Sequence, residues 1–323
     1  MTLPPVLEAQ LESLLHTVHP QELRESASHL SKRYRSGQST SAPRSATAME
    51  ALGYAATRMP ATFGAVFQAL SAVRLALPDF APRSLLDVGS GPGTALWAAL
   101  EQFPSITQMT ALEREPAMRD LGSKLTAAAP DALRQARWLD QAMEQSPVTP
   151  HDLIIAAYVI GELSPELARA QTAALWAAAQ GVLVIVEPGT PDGFDRIRRL
   201  REELILAGAR VAAPCPHDTA CPMPDGDWCH FAQRIQRTRR HRQLKGAESP
   251  FEDEKFSYIA VTRHELKSRP SRVLRHPRIE SGRITLSLCG VGGLSTQRVT
   301  RKDADFKDAR KTRWGETFPP ERT

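Results

Sequence analysis

The chain is 323 residues long, 41% hydrophobic and 24% charged, with a net charge of +5. That length implies about two domains, since one core seldom grows past roughly 250–300 residues. No apolar run approaches the ~20 residues of a membrane span, and four cysteines with no export signal point to a reducing compartment, where clustered thiols bind metal rather than pair up.

Residues 1–35 read as helical, because VLEAQLESLLHTV repeats its leucines and valines at helical spacing. The polar stretch RSGQSTSAPRS at 35–45 is a break. A second helical stretch begins at ATAMEALGY and contains Pro60, which is expected to kink or interrupt it. Together these make residues 1–80 an α-helical N-terminal region.

From Arg83 the pattern becomes strand–helix alternation: SLLDVGS, ITQMTALERE, ARWLD, HDLIIAAYVIGEL and GVLVIVEPG are strands separated by helical segments. Such alternation implies a parallel sheet covered on both faces, so 81–210 is assigned to a doubly wound α/β domain. The first strand runs into a G-S-G-P-G turn, with Asp87 at its end and Gly89, Gly91 and Gly93 in the turn. Glycines let the backbone turn sharply and approach a ligand, and the following helix offers free N–H groups. The second strand ends in Glu113, where an acid can bind two ribose hydroxyls.

Next comes APCPHDTACPMPDGDWCH, which holds Cys215, Cys221 and Cys229; Cys289 is the only other cysteine. Three cysteines among Pro, Asp, Gly and His do not look like core residues. Structural zinc prefers tight C-x2-4-C knuckles. The wider C-x5-C-x7-C spacing and the pairs Cys215-Pro216 and Cys221-Pro222 favour a cubane iron–sulfur cluster, with zinc as the alternative and disulfides third. His217 and His230 could substitute as ligands but are read rather as neighbours of the ligands or as solvent-facing residues.

After this loop, segments 255–263, 271–279 and 282–290 alternate like short strands, with Cys289 near the end of the last. Residues 211–300 are therefore read as a cysteine-cluster and β-rich module, and 301–323 as a basic, partly disordered tail with a docking point at Trp314 and Gly315. From Thr262 onward 15 Lys/Arg face 7 Asp/Glu, and Arg234 to Lys245 carries seven cationic positions if His241 is counted. Such regions favour a polyanion, nucleic acid rather than a membrane. No heptad seam points to a stable homo-oligomer.

The glycine loop with its two acids resembles the class I S-adenosylmethionine-dependent methyltransferases. The resemblance implies that Asp87, Gly89, Gly91 and Gly93 form the methionine-side loop and that Glu113 takes the ribose. It further places Asp140 at an adenine contact, and Tyr158, Gly161, Glu162 and Leu163 where target atoms approach. No catalytic residue is assigned. The strand-four turn, A-A-Y-V-I-G-E-L, lacks the N/D-P-P-Y/F signature, a cysteine nucleophile and a lysine base, and Glu162 is its only well-placed carboxylate. Methyl transfer can still proceed largely by alignment.

Over nearly its whole length the chain resembles the methyltransferase-like small-ribosomal-subunit proteins, a family with mitochondrial members in subunit assembly and translation and with bacterial relatives. LSxxYR (30–35), RMPATFGA (58–65), LLDVGSGPGTALWAA, APCPHDTACP, DWCHFAQRIQR and EDEKFSYIAV carry the match. The resemblance implies a [4Fe–4S] site at Cys215, Cys221, Cys229 and Cys289, and contact of the basic surfaces with small-subunit ribosomal RNA. It implies an rRNA methyltransferase or a methyltransferase-like assembly factor, the alternative being a non-catalytic RNA-binding factor with a relic or sensing cofactor pocket. Early acids at Glu8, Glu12, Glu22 and Glu25 are unlike a mitochondrial presequence, so a bacterial cytoplasmic member is expected. The fold expected is α/β: a doubly wound Rossmann-like methyltransferase sheet, an α-helical N-terminal region and a small β-rich, metal-bound C-terminal module.

Overall fold

The computed structural model describes residues 1–19, 21–26, 46–142 and 149–320. The LSxxYR segment at 30–35 and the polar break at 35–45 lie outside the described residues. Helix α1 (Pro5–His16) starts on a proline at its first position and buries Leu7, Leu11 and Leu15 on one face. Helix α2 (Ala48–Ala76) opens with a capping box, in which Glu50 N–H donates to Thr47 Oγ1 (3.1 Å) and Thr47 N–H to Glu50 Oε2 (2.8 Å). The break expected at Pro60 does not occur; α2 runs through it. A proline costs about 3 kcal/mol in a helix interior, and burial of α2 along its length against the sheet offsets that cost. The approach is close at Gly64, where an added Cβ would sit 2.3 Å from Ile235 Cδ1.

The alternation then unfolds as expected. Strand β1 (Ser84–Val88) leads to α3 (Thr94–Gln102), and β2 (Gln108–Leu112) to α4 (Pro116–Thr126) and the short α5 (Asp131–Arg134). Next come β3 (Arg137–Leu139), β4 (His151–Ala157), α6 (Pro165–Ala178), β5 (Ala179–Pro188), α7 (Pro191–Leu206) and β6 (Arg210–Ala213). Strands β1 to β5 are parallel in the order β3-β2-β1-β4-β5. Successive side chains point to opposite faces: Leu85 joins the core under α1 to α4, Leu86 and Val88 the core under α6 and α7.

The sheet does not close at residue 210. After β7 (Phe231–Gln236) and the short helix α8 (Arg239–Lys245), strand β8 (Phe251–Thr262) inserts antiparallel between β5 and β6. The segment 255–263, assigned from sequence to the C-terminal module, therefore belongs to the large sheet. Its unbroken buried run from Phe256 to Thr262 is what a strand covered on both faces requires. Strand β6 pairs with residues 260–262 and β7 with 251–256, so the two share one edge of β8, and the cysteine loop leaves between them.

The small sheet comprises β9 (Ser271–Val273), β10 (Arg278–Glu280), β11 (Arg283–Gly290), β12 (Gly293–Thr300) and, after helix α9 (Phe306–Lys311), β13 (Thr317–Phe318). Central β11 pairs with β12 on one edge and with β10 and β9 on the other. The tail expected to be partly disordered is ordered through residue 320: Phe318 is only 2% exposed in the core of this sheet, beside Ala309 of α9. The docking point at Trp314 and Gly315 is real. Gly315, at φ 90°, donates its N–H to Val273 O (2.8 Å), and Trp314 meets His230 and His276 edge-on. Among the described residues no helix is long and apolar enough to cross a membrane.

Candidate functional site

The glycine loop sits at the carboxyl end of β1, where strand order reverses between β1 and β4, the crevice at which open α/β sheets take ligands. Gly89, Gly91 and Gly93 all have positive φ, from 53° to 80°. A Cβ on Gly89 would meet Val159 Cγ2 at 2.4 Å, whereas the space over Gly91 is open. Asp87 is 1% exposed; burial, reinforced by Glu113, pushes its carboxyl up to about 8. Its Oδ2 is buried with no hydrogen-bond partner among the described residues. An orphaned carboxylate oxygen behind an open glycine turn is a place for a cationic or hydrogen-bond-donating ligand group.

Glu113 comes to the same place. Its Oε2 accepts the Gly91 N–H (2.7 Å) and its Oε1 the Glu115 N–H (2.8 Å); burial raises its pKa, and these two bonds oppose the rise. Asp140 lies further out and pairs with Arg119 Nη1 at 2.8 Å, while Arg119 also donates to Glu113 O (2.7 Å). Tyr158, at the end of β4, adopts φ 59°, a conformation costly for a side-chain-bearing residue. Its hydroxyl donates to Glu254 Oε1 (3.0 Å), which also takes Arg58 Nη2 (3.2 Å). Gly161 donates its N–H to Glu187 Oε1 (3.2 Å), and Arg196 pairs with the other oxygen at 2.6 Å. Glu162 faces Arg114 at 3.9 Å at the rim, and Leu163 ends the turn.

Arg58, Tyr54, Glu254 and Glu187 were not singled out from the sequence. Tyr54 and Arg58 lie one helical turn apart on α2, Arg58 pairs with Glu254, and burial raises the Tyr54 pKa while Arg58 opposes it. The i, i+4 spacing was the available signal.

The four cysteines line one cavity between α7, the 214–230 loop and the small sheet, together with Arg198, Arg201 and Arg272. Burial first, then the three other cysteines, drives the Cys229 thiol well above its usual range; burial with Cys215 and Cys221 takes Cys289 up to about 12. Burial also raises Cys215, against the opposing Arg201 guanidinium. Arg201 is 2% exposed: Nη2 donates to His217 O and Thr219 O (both 2.8 Å), but Nε and Nη1 are buried without partners among the described residues. Arg272 clamps the assembly from β9, donating to Pro214 O (3.0 Å) and Gly315 O (2.9 Å). From β8, Ser257 donates its hydroxyl to Cys229 O (2.8 Å), and the indole N–H of Trp228 donates to Gly189 O (3.1 Å).

Neither histidine of the loop faces solvent. His217 Nε2 is 3.5 Å from Cys289 Sγ, and His230 stacks on Trp228. Among the described residues, no three His, Cys, Asp or Glu side chains converge tightly enough to hold a single metal ion as they stand. All four cysteines are free thiols.

Sheet order, glycine loop and covering helices define the class: the α/β Rossmann-like methyltransferase fold. The family follows from the sequence comparison. The chain belongs to the family described as mitochondrial small ribosomal subunit Rsm22, which matches residues 48–319. It is 28% identical over 294 residues to the human mitochondrial ribosome assembly protein METTL17, covering 83% of this chain and 62% of that one. It is 24% identical over 333 residues to the mitochondrial Rsm22-cox11 tandem protein 2 of Schizosaccharomyces pombe, covering 86% of this chain and 44% of that one. The chain thus spans less than two thirds of these relatives. Similar solved structures include magnesium protoporphyrin IX methyltransferase from Synechocystis with bound SAM (TM-score 0.42, 12% identity, 71% of this chain and 90% of that one). Another is the N-methyltransferase NodS from Bradyrhizobium japonicum (TM-score 0.40, 15% identity, 60% and 85%).

Proposed function

We propose that this chain acts on the small ribosomal subunit as an S-adenosylmethionine-binding, iron–sulfur-containing assembly factor, with methyl transfer to ribosomal RNA as the activity to be tested. Family membership supports the subunit as its place of action. The observation that carries the rest is a pair of unmet demands in one chain. Among the described residues, Asp87 Oδ2 lacks a partner behind the open turn at Gly91, and Arg201 Nε and Nη1 lack partners beside four thiols.

The donor sets fit the two groups. Gly89, Gly91 and Gly93 would admit the methionine end of the cofactor, Asp87 would face its positive charge, and Glu113 would take the ribose. Asp140, largely exposed, would stand at the adenine rim. When bound, S-adenosylmethionine supplies an electrophilic methyl group. Cys215, Cys221, Cys229 and Cys289 would hold the [4Fe–4S] cluster. A cluster spaces its ligands farther apart than a single ion does, which suits thiols that line a cavity without meeting at one point; zinc is the alternative. The Arg201 guanidinium would offset the negative charge of four thiolates.

The acceptor side favours assembly over turnover. Tyr158 is committed to Glu254 and Glu187 to Arg196, so neither stands free as a base.

The test uses anaerobically purified full chain, tritiated S-adenosylmethionine, and small subunits from a strain lacking this gene, with wild-type subunits as control. Subunit binding without label is the expected result. Label entering only the deletion-strain rRNA would make the protein a methyltransferase, and absence of both binding and label would overturn the proposal.

A further inference from the structure

Three consecutive residues of the cysteine loop, His217, Asp218 and Thr219, are tied down from different sides. Asp218 accepts the Val211 N–H on Oδ1 (2.8 Å) and pairs with Arg269 through Oδ2 (2.6 Å), which fixes the loop to β6 and to the segment before β9. The carbonyls of His217 and Thr219 both accept from Arg201 Nη2. Held this way, His217 is only 3% exposed, and its two ring nitrogens face different groups.

Those neighbours decide where the ring carries its proton. Nδ1 lies 2.9 Å from Thr219 Oγ1 and 3.4 Å from Arg201 Nη2. Both hydrogens of Nη2 are spent on the two carbonyls, so toward Nδ1 the guanidinium presents only positive charge. An N–H at Nδ1 would point its own positive end at that charge. Nδ1 is therefore left bare and accepts the Thr219 hydroxyl. The ring hydrogen then sits on Nε2, and it stays there whether the ring is neutral or charged. Nε2 is 3.5 Å from Cys289 Sγ. Cys289 is fixed in β11, opposite Leu294 on one side and Arg272 on the other, so two anchored groups meet. His230, beside Cys229 in the sequence, spends its ring otherwise, stacked on Trp228 with Nδ1 3.3 Å from Trp228 O.

We propose that His217 is a positioning residue of the cysteine site: it donates a hydrogen bond from Nε2 to the Cys289 sulfur and so raises the reduction potential of the cluster bound there. Such a bond draws electron density off the ligand sulfur and favours the reduced cluster, which carries one more negative charge. This role rests on the reading that the four cysteines hold a [4Fe–4S] cluster.

The test compares the anaerobically purified full chain with His217→Leu and His217→Gln. Leucine removes the donor, whereas the glutamine amide can place an N–H near the position of Nε2. Three things are measured: iron and sulfide content, the midpoint of a dithionite titration followed by electron paramagnetic resonance, and resonance Raman spectra in H2O and D2O. His217→Leu should keep its iron and sulfide and favour the oxidised cluster about 10-fold more than the unaltered chain, ~59 mV for one electron. It should also lose part of the D2O shift of the Fe–S stretching bands. His217→Gln should keep most of both. A wild-type midpoint and D2O shift in iron-loaded His217→Leu overturn the role and leave the cluster reading standing. His217→Gln displaced as far as His217→Leu also overturns it, because the donor has been restored. Loss of iron from both variants overturns it in favour of His217 as a ligand. Unaltered protein that holds no iron removes the cluster reading, and this role with it.

Discussion

The glycine loop and the cysteine cavity are built on opposite plans. The loop is one contiguous stretch whose shape comes from three positive-φ glycines, and its distant partner, Glu113, follows the adjacent parallel strand. The cavity draws on α7 for Arg201, the 214–230 loop for three thiols, β9 for Arg272 and β11 for Cys289. It exists only when two sheets are packed together. A change in the loop should therefore stay local, while a change in the cavity should reach the docking of the small sheet.

The largest effect is expected at the cavity. Cys221→Ser should lose most of the bound iron and sulfide of anaerobically purified protein and lower its thermal midpoint more than any loop variant. Ligation of a structural metal can be worth on the order of 10 kcal/mol of folding free energy. Unchanged metal content would sink the cluster assignment. Arg201→Met comes next. It strands the carbonyls of His217 and Thr219 and removes a buried charge, at a cost of about 2–4 kcal/mol read from denaturant midpoints. If the cluster is present, loss of that positive charge should also lower its reduction potential; an unmoved potential would exclude Arg201 as its charge partner.

Asp87 sharpens the contrast through pH. Its folded pKa of about 8 lies above the ~3.9 of an unfolded aspartate, so between those values the folded chain holds a proton that the unfolded chain has lost. Its contribution therefore weakens stability as pH rises from about 4 to about 8 and is level beyond. Asp87→Asn should flatten that slope in unfolding curves taken at pH 5.5, 7 and 8.5. A cationic cofactor group needs the ionised carboxylate, so wild-type affinity for S-adenosylmethionine should climb over the same window. An affinity independent of pH would remove Asp87 from the pocket.

What the sequence disclosed follows the same division. Contiguous features were legible: the strand–helix alternation, the glycine turn with Asp87, and the three clustered cysteines of the 214–230 loop. Features set by distant packing were not. Strand β8 was placed with its sequence neighbours because sheet membership depends on which edge is free, although the apolar run from Phe256 was a signal for a central strand. Nothing in the sequence marks Arg201 or Arg58 as a site residue, and only the fold shows what they face. The 234–245 run looked like an RNA surface because a count along the chain does not see Glu12 facing Arg240 or Glu252 facing Lys245. The β7–β8 pairing sets Arg234 opposite Asp253, so part of the run's charge is paired within the fold.

The smallest effect is expected inside the loop, where two glycines of similar φ should respond differently. Gly91→Ala adds a methyl group where nothing lies within 4 Å, so its cost is the left-handed backbone alone, roughly 1–2 kcal/mol. Gly89→Ala carries the same backbone cost and drives its Cβ to 2.4 Å from Val159, so β4 or its turn must shift and the loss should be clearly larger. The open space that spares Gly91→Ala is also the space assigned to the cofactor. Gly91→Arg should therefore leave a folded chain with unchanged metal content whose calorimetric affinity for S-adenosylmethionine has fallen at least ~10-fold, a penalty of about 1.4 kcal/mol. Retained affinity in that variant would place the cofactor elsewhere and leave Asp87 a buried acid without a ligand to answer it.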